Sequence, residues 1–419
     1  MPDASRFDIV IVGAGPAGLA AALEASFDTS SIAIVDQNQG PGGQIWRRDM
    51  DQPMTAAAKE YLGRLESRVT FIHRASVIDA TTVSGRHRLV IDQEGHALAL
   101  ETGTLVLATG ARELFLPFPG WTLPGVVGVG ALQALMKSGL DVRGKRIAVA
   151  GTGPLLLAVT ATAAKRGAEI VAVVEQAPFR SMARFALQLA FHPFIAVDAM
   201  QYVQHVPAGT MRLGSWVSAA RGDGKLSEIS IESGSSVARV ECDYLACAYG
   251  LVPNVELASL LGCAVGPRGI VVDQDQATSV SGIFAAGECT GIGGVDKARA
   301  EGLIAGRSAV GDETVVYIHN WLAAEREWGD VLERTFALRA EVLDLARPDT
   351  IICRCEDVRL RDIDSASSSR QAKLYARAGM GACQGRVCGA ALHQMFGWPT
   401  DTVRAPLQPV ALSSLLGAS

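Results

Sequence analysis

The chain lacks the features that would carry it onto a nucleic acid, into a membrane or out of the cell. Its 38 Lys+Arg are outnumbered by 43 Asp+Glu, giving a net charge of −5 and no general attraction for polyanions. No apolar run reaches the about 18 residues of a membrane span. The nearest, residues 9–23, falls short and contains three glycines. The opening Met-Pro-Asp-Ala-Ser has no basic n-region, so no export signal is expected and a cytoplasmic setting follows. Also missing are a nucleophile elbow, a zinc-protease helix and a phosphate-binding Walker loop. The seven histidines (His73, His87, His96, His192, His205, His319, His393) are scattered and read as surface or satisfied core groups, and no catalytic residue is assigned. With 49% hydrophobic and 19% charged residues over 419 positions, the chain can bury a substantial core in two or three domains.

Against these absences stands Asp8-Ile-Val-Ile-Val-Gly13-Ala-Gly15-Pro16-Ala17-Gly18. An apolar β-branched run suits a buried parallel strand, and the Ala/Leu-rich stretch behind the glycines suits a helix. Gly13 permits the tight turn, Gly15 the approach of a pyrophosphate to backbone N–H groups, and Gly18 close helix–strand packing. A second strand, Ser31-Ile-Ala-Ile-Val-Asp36, ends in an acid at the spacing expected for a ribose hydroxyl.

Strand–turn–helix then returns. Arg146-Ile-Ala-Val-Ala-Gly151-Thr-Gly153 opens a second copy, and Glu169-Ile-Val-Ala-Val-Val-Glu175 closes it on an acid. Gly151, Gly153 and Glu175 point to NAD(H), ATP or a similar nucleotide, or to an empty structural repeat. The third glycine is Leu156, which should hold the helix further from its strand, and no arginine follows Glu175 to meet a 2′-phosphate. The pattern predicts an α/β fold: an FAD-type domain over 1–115 and 270–320, an inserted nucleotide domain over 116–269, a helical linker over 321–347, and a cysteine-bearing module over 348–419.

That last segment holds Cys353-Arg-Cys355 and, after 27 residues, Cys383-Gln-Gly-Arg-Val-Cys388. Four soft thiolates suit a [2Fe–2S] centre. Zinc is less well served by so tight a Cys-x-Cys pair, and unligated thiols are the remaining reading. Cys242, Cys247, Cys263 and Cys289 read as buried small hydrophobes.

The glycine turn, Ala108-Thr109-Gly110, the second nucleotide fold and Phe284-Ala-Ala-Gly287-Glu288 together resemble the two-dinucleotide-domain flavoproteins, the class of glutathione and thioredoxin reductases. The resemblance implies that Glu288, where many members have aspartate, hydrogen-bonds the ribityl chain of FAD. It implies too that Gly43 and Gln44 wrap the cofactor, that Val77 meets the adenine edge, and that Thr109 and Gly110 touch it where the chain crosses over. Neither the Gly43–Gln44 region nor the helix after Glu175 carries the class's Cys-x-x-Cys, which argues against a disulfide reductase.

A closer resemblance spans nearly the whole chain. Gly42-Gly-Gln-Ile-Trp-Arg47, Phe118-Pro-Gly-Trp-Thr-Leu-Pro-Gly-Val126, Ala286-Gly-Glu-Cys-Thr-Gly-Ile-Gly-Gly294 and Gly379-Met-Gly-Ala-Cys-Gln-Gly-Arg-Val-Cys-Gly389 look like the α subunit of heteromeric flavin-dependent amine dehydrogenases. These include opine oxidases, D-hydroxyproline and dye-linked proline dehydrogenases, with hydrogen cyanide synthase as a cousin. The resemblance implies a β-subunit partner of D-amino-acid-oxidase type with its own FAD, and in some relatives an interface FMN and a small third subunit. It also implies an electron relay through this chain's FAD and iron–sulfur centre. The competing expectation is a stand-alone NAD(P)H-dependent flavin/iron–sulfur reductase.

Overall fold

The computed structural model describes residues 4–50, 52–312, 316–399 and 403–418, leaving the opening Met-Pro-Asp outside. The chain forms two compact units: Met1–Arg112 with Val252–Asp330 and Thr402–Ser419, and Glu113–Leu251 with Val331–Asp401. This division differs from the expected one: the linker expected over 321–347 is split after Asp330, the cysteine segment up to Asp401 falls in the second unit instead of standing apart, and two further stretches change place. Residues 252–269 join the first unit because Leu257, Ala258, Leu261 and Cys263 pack into its core. The tail from 402 joins it too: Leu407 enters the same core and donates its N–H to Ile78 O. The composition shift at Pro348 marks where the cysteine segment begins but carries no sign of this return.

The first unit opens with β1 (Ser5–Val12), α1 (Pro16–Ala25), β2 (Ile32–Val35), α2 (Ala56–Leu65), β3 (Thr70–Ile72), β4 (Ala75–Val83), β5 (Arg86–Gln93) and β6 (His96–Leu107). One sheet runs β3-β2-β1-β6-β5-β4, and the strand Ile283–Ala285 adds to β6. Pairings are parallel from β3 through β6 and antiparallel along β4-β5-β6, where the turn at Glu94-Gly95 reverses the chain. Ile9, Val10 and Ile11 are buried on both faces, which explains the unbroken apolar run of β1. Eight of the ten α1 residues are buried, so this helix is apolar all round rather than amphipathic.

The second unit repeats the plan with β7 (Val126–Gly128), α3 (Val129–Lys137), β8 (Arg146–Gly151), α4 (Leu155–Lys165), β9 (Glu169–Glu175), α5 (Phe179–Leu189), α6 (Pro193–Val203) and β10 (Met211–Leu213). An antiparallel group of β11 (Trp216–Arg221), β12 (Glu228–Ser233) and β13 (Ser236–Glu241) follows, and β14 (Tyr244–Ala248) completes a parallel sheet of order β10-β9-β8-β14-β7. Leu156 is buried among Val129, Val149, Val159 and Ala248, so it serves this core. The cysteine segment adds its own small core of Ile352, Cys353, Val358, Ile363, Ala372, Cys388 and Leu392. Cys242, Cys247, Cys263 and Cys289 are all buried.

Candidate functional site

At the first turn the three glycines divide their tasks as steric fit requires. Gly13 has φ +109, and a Cβ there would meet Ala108 O at 2.1 Å. A Cβ on Gly18 would meet Gly13 O at 1.9 Å, so backbone fills the space where helix and strand touch. Gly15, the N-cap of α1, is different: its Cβ would meet only Gly43 Cα, at 3.9 Å. Pro16 has no N–H to offer, and Ala17 and Gly18 follow in the first turn of the helix. A cradle thus lies between this helix N-terminus and the Gly43 loop, shaped for a group that needs backbone donors.

Asp36 ends β2 and is buried; it accepts from Ala14 N (2.6 Å), Asn38 N (2.7 Å) and Asn38 Nδ2 (2.8 Å). Arg47 reaches across the same loop to Asn38 Oδ1 (3.0 Å) and to Gln44 Oε1 (3.1 Å). Its Nε is buried with no hydrogen-bond partner among the described residues. An orphaned cationic N–H beside a side-chain-free cradle fits a bound pyrophosphate. Sequence reasoning missed Arg47 as a site residue although it ends the quoted Gly42–Arg47 motif.

Val77 lies on β4 opposite Ile91, partly buried against the core. Thr109 Oγ1 donates to Asn254 O (2.7 Å), Asn254 Nδ2 returns to Thr109 O (2.9 Å), and Asn254 N donates to Gly110 O (2.9 Å).

The loop carrying Gly287 and Glu288 is held from below by a charge cluster that sequence reasoning did not find. Glu301 Oε2 accepts from Gly287 N (2.9 Å), Thr290 Oγ1 (2.6 Å) and Lys297 Nζ (2.9 Å), and Oε1 accepts from Arg326 Nη2 (3.0 Å). Lys297 Nζ also donates to Gly291 O (2.8 Å) and Gly287 O (3.2 Å). The side chains of Lys297 and Glu301 are 6% and 1% exposed. Their i,i+4 spacing on helix Val295–Ala309 was the only available signal, and it reads equally as a surface pair. Glu288 Oε1 accepts from Gly294 N (2.8 Å) and Gly293 N (3.3 Å), while burial pushes its carboxyl up from the ordinary range.

The second turn copies the first in outline. A Cβ on Gly151 would meet Ala248 O at 1.9 Å, and one on Gly153 would meet nothing within 4 Å. Glu175 accepts from Thr152 Oγ1, Gly153 N and Ala177 N, each at 2.8 Å, and burial raises its pKa against those donors. Gln176 Nε2 donates to Ala337 O (2.9 Å), and Arg339 N donates to Gln176 Oε1 (3.0 Å). Phe336 packs edge-on against Phe185, with ring centroids 5.2 Å apart.

The four expected ligand cysteines come together. A Cβ on Gly379 would lie 3.9 Å from Cys388 Sγ, and Cys353 and Cys388 share the small core of this segment. The neighbouring Cys388 thiol lowers the pKa of Cys353 and of Cys383, and Cys388 itself is pushed up. Gly379 N donates to Cys353 Sγ (3.4 Å), and a Cβ on Gly381 would meet Cys355 Cβ at 2.2 Å, so a side chain there would collide with the thiol pocket. Among the described residues, no group of three or more His, Cys, Asp or Glu is placed to hold a metal ion.

Among the described residues, no helix is long and apolar enough to cross a membrane. The family model described as pyridine nucleotide-disulphide oxidoreductase matches residues 7–302. An opine oxidase subunit from Agrobacterium tumefaciens (strain Ach5) is 29% identical over 98% of this chain and 91% of that protein. Hydrogen cyanide synthase subunit HcnB of Pseudomonas aeruginosa is 32% identical over 90% of each. The crystal structure of L-proline dehydrogenase from P. horikoshii shares the fold with a TM-score of 0.74 at 19% identity, over 98% of this chain and 79% of that one.

Proposed function

The chain belongs to the pyridine nucleotide-disulphide oxidoreductase family and is an oxidoreductase of flavin/NAD(P) fold; on that premise we propose that it is the electron-relaying subunit of a heteromeric amine dehydrogenase. The single observation that carries this reading is the packing of Cys353, Cys355 and Cys388 against the Gly379–Gly381 turn that leads to Cys383, in the same chain as a glycine-lined cradle. Similarity to proteins named as subunits of opine oxidase and hydrogen cyanide synthase supports a partner. That partner is a D-amino-acid-oxidase-like β subunit whose own FAD oxidises the C–N bond, in the cytoplasm. An interface FMN and a small third subunit belong to the same reading.

On this chain, FAD would exchange pairs of electrons and a [2Fe–2S] centre single ones. The N–H groups at the start of α1 and the guanidinium of Arg47 hold the pyrophosphate. Asp36 keeps acceptor capacity for a ribose hydroxyl, since its two carboxylate oxygens receive three donors and offer about four lone pairs. Gly43 and Gln44 would wrap the cofactor, Val77 would meet the adenine edge, Thr109 and Gly110 would touch it at the crossover, and Glu288, beside Gly287, would hydrogen-bond the ribityl chain. Cys353, Cys355, Cys383 and Cys388 would ligate the iron, and the Gly379 N–H to Cys353 Sγ would raise the potential by stabilising negative charge on sulfur.

The test is anaerobic purification with the partner subunit, followed by stopped-flow reduction. A flavin spectrum with acid-labile sulfide, bleached by an amine substrate only when the partner is present, is the expected result. Rapid bleaching by NADH alone would favour a self-sufficient reductase, and colourless protein would end the reading.

A further inference from the structure

The two nucleotide folds differ in what lies over their strand ends. In each, the residue after the terminal acid is glutamine. Gln37 is exposed in the first copy, whereas Gln176 is 0% exposed in the second. This is the position from which a dinucleotide site meets the 2′ side of the adenosine ribose. Both ends of the Gln176 amide are engaged by the chain's own backbone: Nε2 by Ala337 O and Oε1 by Arg339 N. Nε2 also reaches Thr152 Oγ1 (3.2 Å), which donates to Glu175 and lies 3.4 Å from Phe336 O. Thr152 and Glu175 are themselves 7% and 2% exposed. Phe336 is anchored on Phe185, and the Arg339 guanidinium lies over the Trp216 ring at 4.9 Å.

We infer that the second nucleotide fold is closed by the chain itself: residues 336–339 occupy the place of a dinucleotide's adenosine ribose, and this unit takes no NAD(P)H. A ribose would have to displace two backbone hydrogen bonds and an aromatic contact, and the Glu175 acceptor already receives a side-chain and two backbone donors. Those buried groups would be left unpartnered unless the incoming hydroxyls matched all of them. At the first turn a ribose needs much less: the side-chain donor on Asp36 is Asn38 Nδ2, on a half-exposed loop residue that can rotate away. Gly153 still faces open space, so the phosphate end of the fold survives while the sugar end is filled. The closure stands whether or not the chain carries an iron–sulfur centre or works with a partner.

Hydrogen–deuterium exchange on the flavin-loaded full chain tests this, run with NADH, NADPH and ATP beside equilibrium dialysis of the same nucleotides. The Arg339 amide should exchange at the same rate with and without each nucleotide, and Gln176→Ala, which removes its acceptor, should speed that exchange at least about tenfold. Binding without any change at 336–339 locates the nucleotide elsewhere and leaves the closure intact. Saturable binding that alters exchange at 336–339 and is lost in Glu175→Ala would overturn it.

Discussion

At the scale of single residues, the first turn separates the requirements of folding from those of ligand binding. Gly18 and Gly15 are both glycines of one motif, yet their surroundings differ. A methyl group on Gly18 would lie 1.9 Å from a backbone oxygen, which cannot rotate away. Gly18→Ala should therefore cost about 1–3 kcal/mol or more in denaturant unfolding, the range for overpacking. Gly15 has φ −76, and its Cβ would make only an ordinary contact with Gly43 Cα at 3.9 Å, so Gly15→Ala should leave the unfolding midpoint of flavin-free protein nearly unchanged while weakening flavin binding by at least about tenfold. Equal loss of stability in both variants would remove the assignment of the cradle.

Glu113 offers a second residue-scale prediction. Its carboxylate accepts from Gly130 N (2.6 Å) and Ala131 N (3.1 Å) at the start of α3, but burial outweighs these bonds and raises its pKa above 4.5. The folded chain then holds this proton to higher pH than the unfolded chain does, so stability falls as pH rises through the folded value. Glu113→Gln removes that contribution. Its stability relative to the parent should rise in urea melts as the pH is raised above the ordinary glutamate value, and a constant difference would show that Glu113 titrates normally.

At the scale of elements, the Lys297–Glu301 pair works as a clamp between helix Val295–Ala309 and the loop that ends the strand Ile283–Ala285. Two buried charges gain little by themselves, since desolvation offsets their attraction. Here they also answer Gly287 N, Gly287 O, Gly291 O and the Thr290 hydroxyl, which fixes the loop bearing Glu288. Glu301→Gln should cost about 3–5 kcal/mol by stranding the buried Lys297 ammonium, and Lys297→Met less, because Arg326 still pairs with Glu301. The double variant should cost less than the sum of the two, and strict additivity in the cycle would mean that the pair is not coupled. The same contrast explains what was legible in the sequence. Strand, glycine turn, helix and terminal acid are local patterns, and both copies emerged with their acids at the strand ends. The clamp was hidden because Lys297 and Glu301 look like a solvated pair until the fold buries them. The covering of Gln176 joins residues 163 positions apart, and the return of the tail to Ile78 is equally distant from any local signal. The four thiols were legible as a set, but spacing alone gave no indication that Cys388 is buried while Cys355 is exposed.

At the scale of the molecule, the residues proposed to hold the flavin and the thiols proposed to hold iron fall in different compact units, so on that proposal the two sites should fail independently. Cys388 is the informative position: it is buried in the small core with Cys353, beside the Gly379 turn. Serine is nearly isosteric but a much poorer ligand for iron, because the soft thiolate is what selects the metal. Cys388→Ser should therefore lose iron and acid-labile sulfide together in anaerobically purified protein, while the flavin content and the unfolding of the first unit stay at the parent level. Reduction by the partner and its amine should then stop at the flavin, with transfer to an external acceptor slowed at least about tenfold if the thiol site is the exit for electrons. Zinc in place of iron, at one per chain and without sulfide, would instead make the module a structural knuckle. Iron retained undiminished in both Cys388→Ser and Cys383→Ser would show that the metal is held by other residues, and would remove the thiol set from the relay altogether.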